Sequence, residues 1–470
     1  MGRGEMNYAL LILGLFFVAV ILSWLLTKRI IARLRRRMEP TEALLLGVCV
    51  FAAVFFVVGG LSIGAARVYR HFAREVGSAI SETVDAFDEA RKPGGVTAGP
   101  DARVAQSEVR RLANLEKRLA ILELGGKVRV DDQLPEAPIL GVDFQNSPIT
   151  DEKLAVIKSL GDLKTLNLRE TQVGDAGLSH LRGLGSLRTL DVAGCEVSDA
   201  GVEHLKGLTG LESLELAGTK ITNAGMFYLR DMCNLSSLGL NETAVTDAGL
   251  EHLRGMTALQ SLGLQKTGIT DAGLECLKAL PKLSHLDLRS TSVTDTGLGH
   301  LKSLPIGGLS LGNTKITSAG FEHLKTMHHL KNLAAANLVL SDSALAHLAS
   351  LTNLETLWAG GDFTDDGLAH LKGLINLRLL AIGGKGITDE GLKYLAGMNK
   401  LKVLQFSSRK TPITDAGLVH LMRFKELEEL DIRGSKVTPE GVATLKKALP
   451  ECTVILNDAP TEPKHVAEPE

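Results

Sequence analysis

Apolar residues recur with a period of about 24 residues from Ile149 almost to the end of this chain. Thirteen apolar anchors mark the phase: Ile149, Val173, Val197, Ile221, Val245, Ile269, Val293, Ile316, Leu340, Phe363, Ile387, Ile413 and Val437. Most steps between anchors are 24 residues, two are 23 residues, and the step to Ile413 is 26 residues. Such a period predicts a solenoid of stacked repeats and not a single globular core.

Each repeat reads as one helix followed by one strand. In the repeat 243–266, Thr246 and Asp247 mark a helix start, with a hydroxyl N-cap and an acid facing the positive end of the helix dipole. An apolar helical stripe follows at Leu250, Leu253 and Met256. A strand with alternating leucines then follows at Leu259, Leu262 and Leu264. Since neither element can bury its leucines alone, neighbouring strands are expected to pair in a parallel sheet.

The combination of TDAGLxHL with LxxLxLxxT resembles the leucine-rich-repeat family, in a bacterial type with Thr where many members carry Asn. The resemblance covers residues 139 to about 456. It implies an α/β fold, a right-handed leucine-rich-repeat solenoid with parallel strands on the concave face and short helices on the convex face.

A threonine and a glycine each recur at a fixed position in many of the repeats. The Thr positions are Thr171, Thr219, Thr243, Thr267, Thr291 and Thr314, with Cys195 and Ser435 as variants. Their hydroxyls are predicted to bond the backbone of the adjacent turn. Glycines four residues after the anchor, as at Gly177, Gly201 and Gly249, are predicted to admit close approach of the next coil.

Two long uncharged runs, 8–26 and 43–66, precede the repeats and are predicted to be transmembrane helices. The loop between them carries the basic residues Lys28, Arg29, Arg33, Arg35, Arg36 and Arg37. By the positive-inside rule this loop is expected in the cytoplasm, which would anchor the protein in a bacterial inner membrane with extracytoplasmic repeats. The alternatives are a cleaved signal peptide at the first run, and inverted insertion because Arg67, Arg70 and Arg74 flank the second.

The predicted organisation therefore has five parts. These are two transmembrane helices with a basic loop (1–68), a juxtamembrane helix and Pro/Gly linker (69–102), an N-terminal cap helix and strand (103–138), the solenoid (139–456) and a disordered tail (457–470). In the cap helix, a leucine stripe is predicted to pack onto the first repeat, with a short coiled coil as the alternative: Leu112, Leu115, Leu119 and Leu122.

Composition and motif content narrow the function. A net charge of −2 and one basic cluster, beside the predicted membrane helices, argue against nucleic acid as a partner. No nucleophile with a base, phosphate loop or zinc signature rises above the repeat pattern, so neither an enzyme nor a cofactor is expected. Eight histidines share one place in the repeat: His180, His204, His252, His300, His323, His347, His370 and His420. Tyr228, Cys276 and Tyr394 also occupy that place, which favours packing or hydrogen bonding over metal binding.

The most variable places lie on the predicted concave face. The residues between the last two apolar positions of each strand are Asp143, Asn167, Asp191, Glu215, Gly239, Gly263, Asp287, Ser310, Ala334, Trp358, Ala381, Gln405 and Asp431. These side chains are expected to point to solvent, because alternate residues of a strand face opposite sides of the sheet. The early members are largely acidic and the later ones largely apolar.

Trp358 is the largest side chain in this row. A protein-binding site is predicted around it, at Trp358, Ala334, Leu379, Ala381, Val403 and Gln405. A large aromatic residue ringed by small residues, with glycines following on the same strands, is typical of a binding hot spot. The alternative is that Trp358 fills a gap left by degenerate repeats.

The sequence thus predicts a membrane-anchored protein that binds other proteins through the concave sheet, with an unknown ligand and oligomeric state. The alternative is a structural envelope scaffold that acts by self-association or contact with the cell wall.

Overall fold

A computed structural model describes residues 100–131, 133–134, 136–406 and 411–456. The predicted membrane runs 8–26 and 43–66, nearly all of the predicted juxtamembrane segment and the predicted tail lie outside these residues. The chain divides into two units after Glu116, and the repeats lie in the second unit, which begins at Lys117.

The prediction that the protein is localised in a membrane is wrong, because the helices that the structure describes contradict it. Within the described ranges, none of the helices has both the length and the apolar content that crossing a bilayer requires. The longest, α1 (Pro100–Glu123), has 24 residues but carries charged residues throughout its sequence. The helices of the repeats reach at most ten residues, in the last of them, because each repeat turns back to its strand.

Among the residues that the structure describes, fifteen strands form one sheet in chain order. They are β1 (Lys127–Val130), β2 (Ile139–Asp143), β3 (Thr165–Asn167), β4 (Thr189–Asp191), β5 (Ser213–Glu215), β6 (Ser237–Gly239), β7 (Ser261–Gly263), β8 (His285–Asp287), β9 (Gly308–Ser310), β10 (Asn332–Leu340), β11 (Thr356–Gly361), β12 (Leu379–Ile382), β13 (Val403–Phe406), β14 (Glu429–Asp431) and β15 (Thr453–Ile455). Strand β1 is antiparallel to β2. From β2 onward neighbouring strands are parallel, which confirms the predicted parallel sheet.

Short helices connect the strands, as the repeat pattern predicts. The α-helices are α2 (Asp151–Leu154), α3 (Asp175–Leu178), α4 (Asp199–Glu203), α5 (Asn223–Leu229), α6 (Asp247–Leu250), α7 (Asp271–Cys276), α8 (Asp295–Leu301), α9 (Asp342–Leu348), α10 (Asp365–Leu371), α11 (Asp415–Leu421) and α12 (Pro439–Ala448). Short 3₁₀ segments extend or replace them at Ala155–Ser159, Ser179–Leu181, Glu251–Leu253, Leu277–Ala279, Gly320–Thr326 and Gly391–Gly397. This is the leucine-rich-repeat solenoid architecture.

One continuous apolar core runs through the repeats. Twelve of the thirteen anchors are buried, and Val437 in the last repeat is partly buried. The helix and strand leucines face the same core, as Leu250, at 0% exposure, and Leu262, at 1%, illustrate. Burial of each leucine contributes roughly 1.5–3 kcal/mol, so the stacking of repeats stabilises the fold cumulatively.

The aspartate at most helix starts links one repeat to the next, a role that its place in the sequence does not reveal. Asp175 Oδ1 accepts the backbone N–H of Ser198 at 2.7 Å, and Asp175 Oδ2 accepts the Ser198 hydroxyl at 2.6 Å. The same paired bonds recur at Asp199–Thr222, Asp247–Thr270, Asp271–Thr294, Asp295–Thr317, Asp342–Thr364, Asp365–Thr388, Asp389–Thr414 and Asp415–Thr438. We call these contacts the Asp ladder.

The repeated glycine makes room for the Asp ladder. A Cβ atom at Gly201 would overlap the Asp175 carboxylate and lie 3.2 Å from the Asp175 Cα atom. The close approach predicted from the sequence is thus that of the preceding repeat's carboxylate.

The repeated threonine acts inside its own repeat. Thr219 Oγ1 donates to the Leu216 carbonyl oxygen, three residues earlier, at 2.6 Å. Thr171, Thr243, Thr267 and Thr291 form the same bond and are buried with it. The bond closes the turn after each strand and satisfies a hydroxyl that would otherwise be buried without a partner.

The first repeat is covered by the end of helix α1. Ile121 is fully buried and Phe144 of the first repeat is at 0% exposure. A Cβ atom at Gly126 would lie 2.5 Å from Phe144 Cε1 and 2.7 Å from Ile121 Cγ2, so these two side chains close around the glycine. Leu122, a member of the predicted stripe, is 53% exposed. The packed residue is therefore Ile121, one position before it.

Candidate functional site

Four adjacent strands bring the six predicted site residues together. The register pairs Ala334 with Trp358, Trp358 with Ala381, and Ala381 with Gln405. Leu379 and Val403 pair with each other two residues earlier on β12 and β13. We call this patch the Trp358 face: Ala334, Trp358, Leu379, Ala381, Val403 and Gln405.

The Trp358 face lies on the side of the sheet opposite the leucine core. Leu333, Leu357, Leu380 and Leu404 alternate with its residues and are all at 0% exposure. Because strand residues point alternately to the two sides, the outward position of Trp358 is fixed by the burial of Leu357 beside it.

The exposure of the six residues is uneven. Trp358, Ala334, Leu379, Val403 and Gln405 are half-buried, whereas Ala381 is only 5% exposed. Ala381 therefore sets the shape of the patch beside Trp358 and offers almost no contact area. The indole is half-buried, which is more covered than its small neighbours in the sequence suggest.

Val339 adds an apolar side chain that the sequence analysis missed. It is 91% exposed at the end of β10, between the buried Leu338 and Leu340. The sequence does mark Val339 as unusual, because the residue before the anchor is polar, Gly, Ala or Pro in all of the remaining repeats. This branched apolar residue lies at the end of β10, where its neighbour Leu340 pairs with Gly361 of β11.

The glycines after these strands have a packing role. A Cβ atom at Gly361 would lie 2.5 Å from the Leu340 carbonyl oxygen, and one at Gly384 would overlap the backbone of Phe363. Phe363 is fully buried where other repeats have a smaller anchor. The glycines therefore admit close approach of the Leu340 and Phe363 backbones, so their role is not limited to exposing the tryptophan.

Polar contacts border the Trp358 face. Gln405 Nε2 donates to Glu429 Oε1 at 2.8 Å on the next strand. At the strand starts, Glu355 pairs with Lys331 at 3.4 Å and with Arg378 at 3.9 Å. An apolar centre with a polar rim is the usual anatomy of a protein interface.

The early strands present an acidic surface on the same side of the sheet. Asp143 lies 3.7 Å from Lys127 Nζ, and Asp191 lies 3.9 Å from Arg169 Nη1. Burial raises the pKa of Asp191, although the Ala193 N–H and Arg169 act in the opposite direction.

Glu215 is the most confined of these carboxylates. Its Oε1 accepts the Ala217 N–H at 3.2 Å, and a side chain at Gly239 would overlap its carboxylate. Burial raises the pKa of Glu215 and the negative charge of Asp191 adds to the shift, whereas the Ala217 N–H and the positive charge of Arg169 lower it. The carboxylate therefore lies over Gly239 of the next strand.

The residues that the structure describes include no group of three or more His, Cys, Asp or Glu side chains suited to hold a metal ion. In the histidine row, His204 Nδ1 lies 2.7 Å from Arg182 Nη2 of the preceding repeat, a hydrogen-bonding contact.

A family model described as "Leucine Rich repeat" matches residues 162–181 and 186–206. No curated protein sequence matches the chain. The chain is similar in fold to an internalin of Listeria monocytogenes (inlF), at 20% identity and a TM-score of 0.53, over 74% of this chain and 94% of that chain. A leucine-rich-repeat protein of Leptospira interrogans aligns at 16% identity and a TM-score of 0.46, over 64% of this chain and 80% of that chain.

The family model matches two of the repeats, and the fold is that of a leucine-rich-repeat solenoid, so both findings support the leucine-rich-repeat family. Domains of this class typically serve as interaction modules between proteins and typically have no enzymatic activity of their own.

Proposed function

We propose that this protein binds another protein through the Trp358 face. The observation that carries the proposal is an indole at an outward strand position above a core that is already filled. Leu357 and Leu380 beneath the sheet are at 0% exposure, and Trp358 is not part of the buried core cluster. A ring that filled a gap in the core would lie among those buried side chains, whereas a ring folded over a gap in the outer face is separated from the proposal by the stability test below.

Two further features support the proposal. Leu379 and Val403 extend the partly exposed apolar surface over two strands. The strands that carry them are held by continuous pairing from β9 to β14. A rigid apolar surface with an aromatic anchor loses little conformational entropy when it binds, which favours affinity.

The test uses a displayed library of random peptides, each of about 16 residues, selected on the purified full chain. Trp358→Ala is expected to weaken the selected peptides by at least about tenfold, as for truncation of an aromatic hot spot. The melting temperature is expected to stay within about 2 °C of wild type, because the indole is outside the core.

Phe227→Ala is the matched control. Phe227 is an aromatic residue of helix α5 that is 44% exposed, with Arg230 stacked 4.0 Å from its ring centre. This variant is expected to leave peptide affinity unchanged. A large fall in the melting temperature of Trp358→Ala would support the gap-filling role. Equal affinity losses in both variants would show unspecific adhesion and contradict the proposal.

A further inference from the structure

We infer that the partner presents an extended segment across strands β5 to β11, with a basic side chain on Glu215 and an apolar side chain on the Trp358 face. The inference rests on the proposed function and adds the chemistry of the partner and the spacing of its contacts.

Glu215 differs from the other carboxylates in its row on the sheet. Asp287 and Asp431 each form an ion pair with an arginine two residues later, Arg289 and Arg433, both at 2.7 Å. Asp143 and Asp191 also have cations nearby, as described above. For Glu215, no ion pair occurs among the described residues, and its hydrogen-bond partner is a neutral backbone N–H.

The position of Glu215 makes it available to a partner. The carboxylate lies over Gly239, which has no side chain of its own. A lysine or arginine from a bound segment would form an ion pair with Glu215. The other carboxylates in the row already have a cation of the protein itself nearby. Because the site is partly buried, such a pair is screened less by salt than a fully exposed one.

Small residues lead from Glu215 towards the Trp358 face. The outward positions between them include Gly239 on β6, Gly263 on β7 and Ser310 on β9. On β8, Asp287 is already neutralised by Arg289. A main chain that lies across these strands therefore meets few large side chains and no second unpaired carboxylate in this row.

The sheet order fixes the distance between the two contacts. Strands β5 and β11 are separated by six steps in the sheet. At about 4.8 Å for each step, the contacts are about 29 Å apart, which an extended chain spans with about nine residues. The partner segment is expected to carry its basic and apolar side chains at this separation.

The experiment sequences the peptides that the displayed library yields on the full wild-type chain and on Glu215→Gln. On wild type, enriched peptides are expected to combine Arg or Lys with an aromatic or aliphatic residue about eight to ten positions away. On Glu215→Gln, which keeps the size of the side chain and its acceptor for Ala217, the basic preference should disappear and the apolar preference should remain.

Affinity titrations sharpen the result. Glu215→Gln is expected to weaken a selected wild-type peptide by about three- to tenfold and to reduce the dependence of its Kd on salt. Glu426→Gln, at an exposed turn residue away from the sheet, is the matched control and should change neither. Basic enrichment that persists on Glu215→Gln, or enrichment without a preferred spacing, would overturn the inference.

The two proposals fail in different ways. If Trp358→Ala weakens binding and Glu215→Gln does not, the Trp358 face is the binding site and the partner chemistry inferred here is wrong. If Trp358→Ala has no effect, the proposed function is wrong, whatever the charge preference of the peptides.

Discussion

The helix-start side of the repeats and the outward side of the sheet show opposite relations between sequence and structure. At the helix starts, the same Asp, Thr and Gly side chains form the same bonds in repeat after repeat, as at Asp271 and Thr294. On the outward side of the sheet, chemically different residues such as Glu215, Gly263 and Trp358 occupy one equivalent place.

This difference separates stability from recognition. The helix starts must satisfy backbone N–H groups and admit a neighbouring carboxylate, so few residue types fit. The outward strand positions contact solvent, so the fold tolerates many side chains there. A substitution at a helix start should therefore change stability, whereas one on the Trp358 face should change binding.

The largest loss of stability is expected for Gly201→Ala. Its methyl group would overlap the Asp175 carboxylate and approach the Asp175 Cα atom, a backbone atom that cannot rotate away. We expect a loss of about 3 kcal/mol in the free energy of unfolding, measured by urea denaturation. Gly373→Ala is the control, since no atom lies within 4 Å of a Cβ there. Equal stability of the two variants would contradict the proposed steric role of the ladder.

A smaller loss is expected for Asp271→Ala. The substitution removes the acceptor of both the Thr294 N–H, at 2.8 Å, and the Thr294 hydroxyl, at 2.5 Å. We expect a cost of about 2 kcal/mol in the same unfolding measurement, because charged acceptors form the stronger hydrogen bonds.

Asp271→Asn is the matched comparison for this position. Asn223 already holds the equivalent place, where Oδ1 accepts the Thr246 N–H and Nδ2 donates to Thr246 Oγ1, both at 2.8 Å. The amide variant should therefore lose less than half as much stability as the alanine variant. Losses of equal size would mean that the hydrogen-bond geometry contributes little.

The smallest stability effect is expected for Glu215→Gln, and it is a gain. Burial raises the pKa of Glu215 above its ordinary value of 4.5, so the folded state holds the proton more readily than the unfolded state. Stability associated with this group therefore falls as pH rises from 4.5 through the raised pKa. At neutral pH the variant should melt on the order of 1 °C above wild type.

Thermal melts at several pH values check this effect. The difference between Glu215→Gln and wild type should shrink as the pH falls below 4.5, where the carboxyl is protonated in both states. If the wild-type protein is more stable than Glu215→Gln at neutral pH, Glu215 stabilises the fold. That result would weaken the inference that Glu215 forms an ion pair with a basic side chain of the partner.

The repeat fold could be predicted from the sequence because its cause is periodic. Apolar anchors such as Val245 recur at fixed intervals, and only stacked repeats bury them all. The role of Asp175 could not be predicted, because a local pattern gives its place at the helix start but not the direction of its carboxylate toward Ser198.

The candidate site was predictable only in part. The strand register follows from alternation, so Trp358 could be assigned neighbours on β10 and β12 from sequence alone. Ala381 is buried and Val339 is exposed in the part of the sheet where β10 and β11 are longer than in the common repeat. Single-sequence patterns describe the average repeat and do not describe such departures.

The most direct test of the account is the Kd of a library-selected peptide for the full-length Trp358→Ala variant, relative to wild type. We expect the Kd to rise by at least about tenfold while the free energy of unfolding stays unchanged. An unchanged Kd would contradict the claim that the outward face of the sheet around Trp358 carries the binding function.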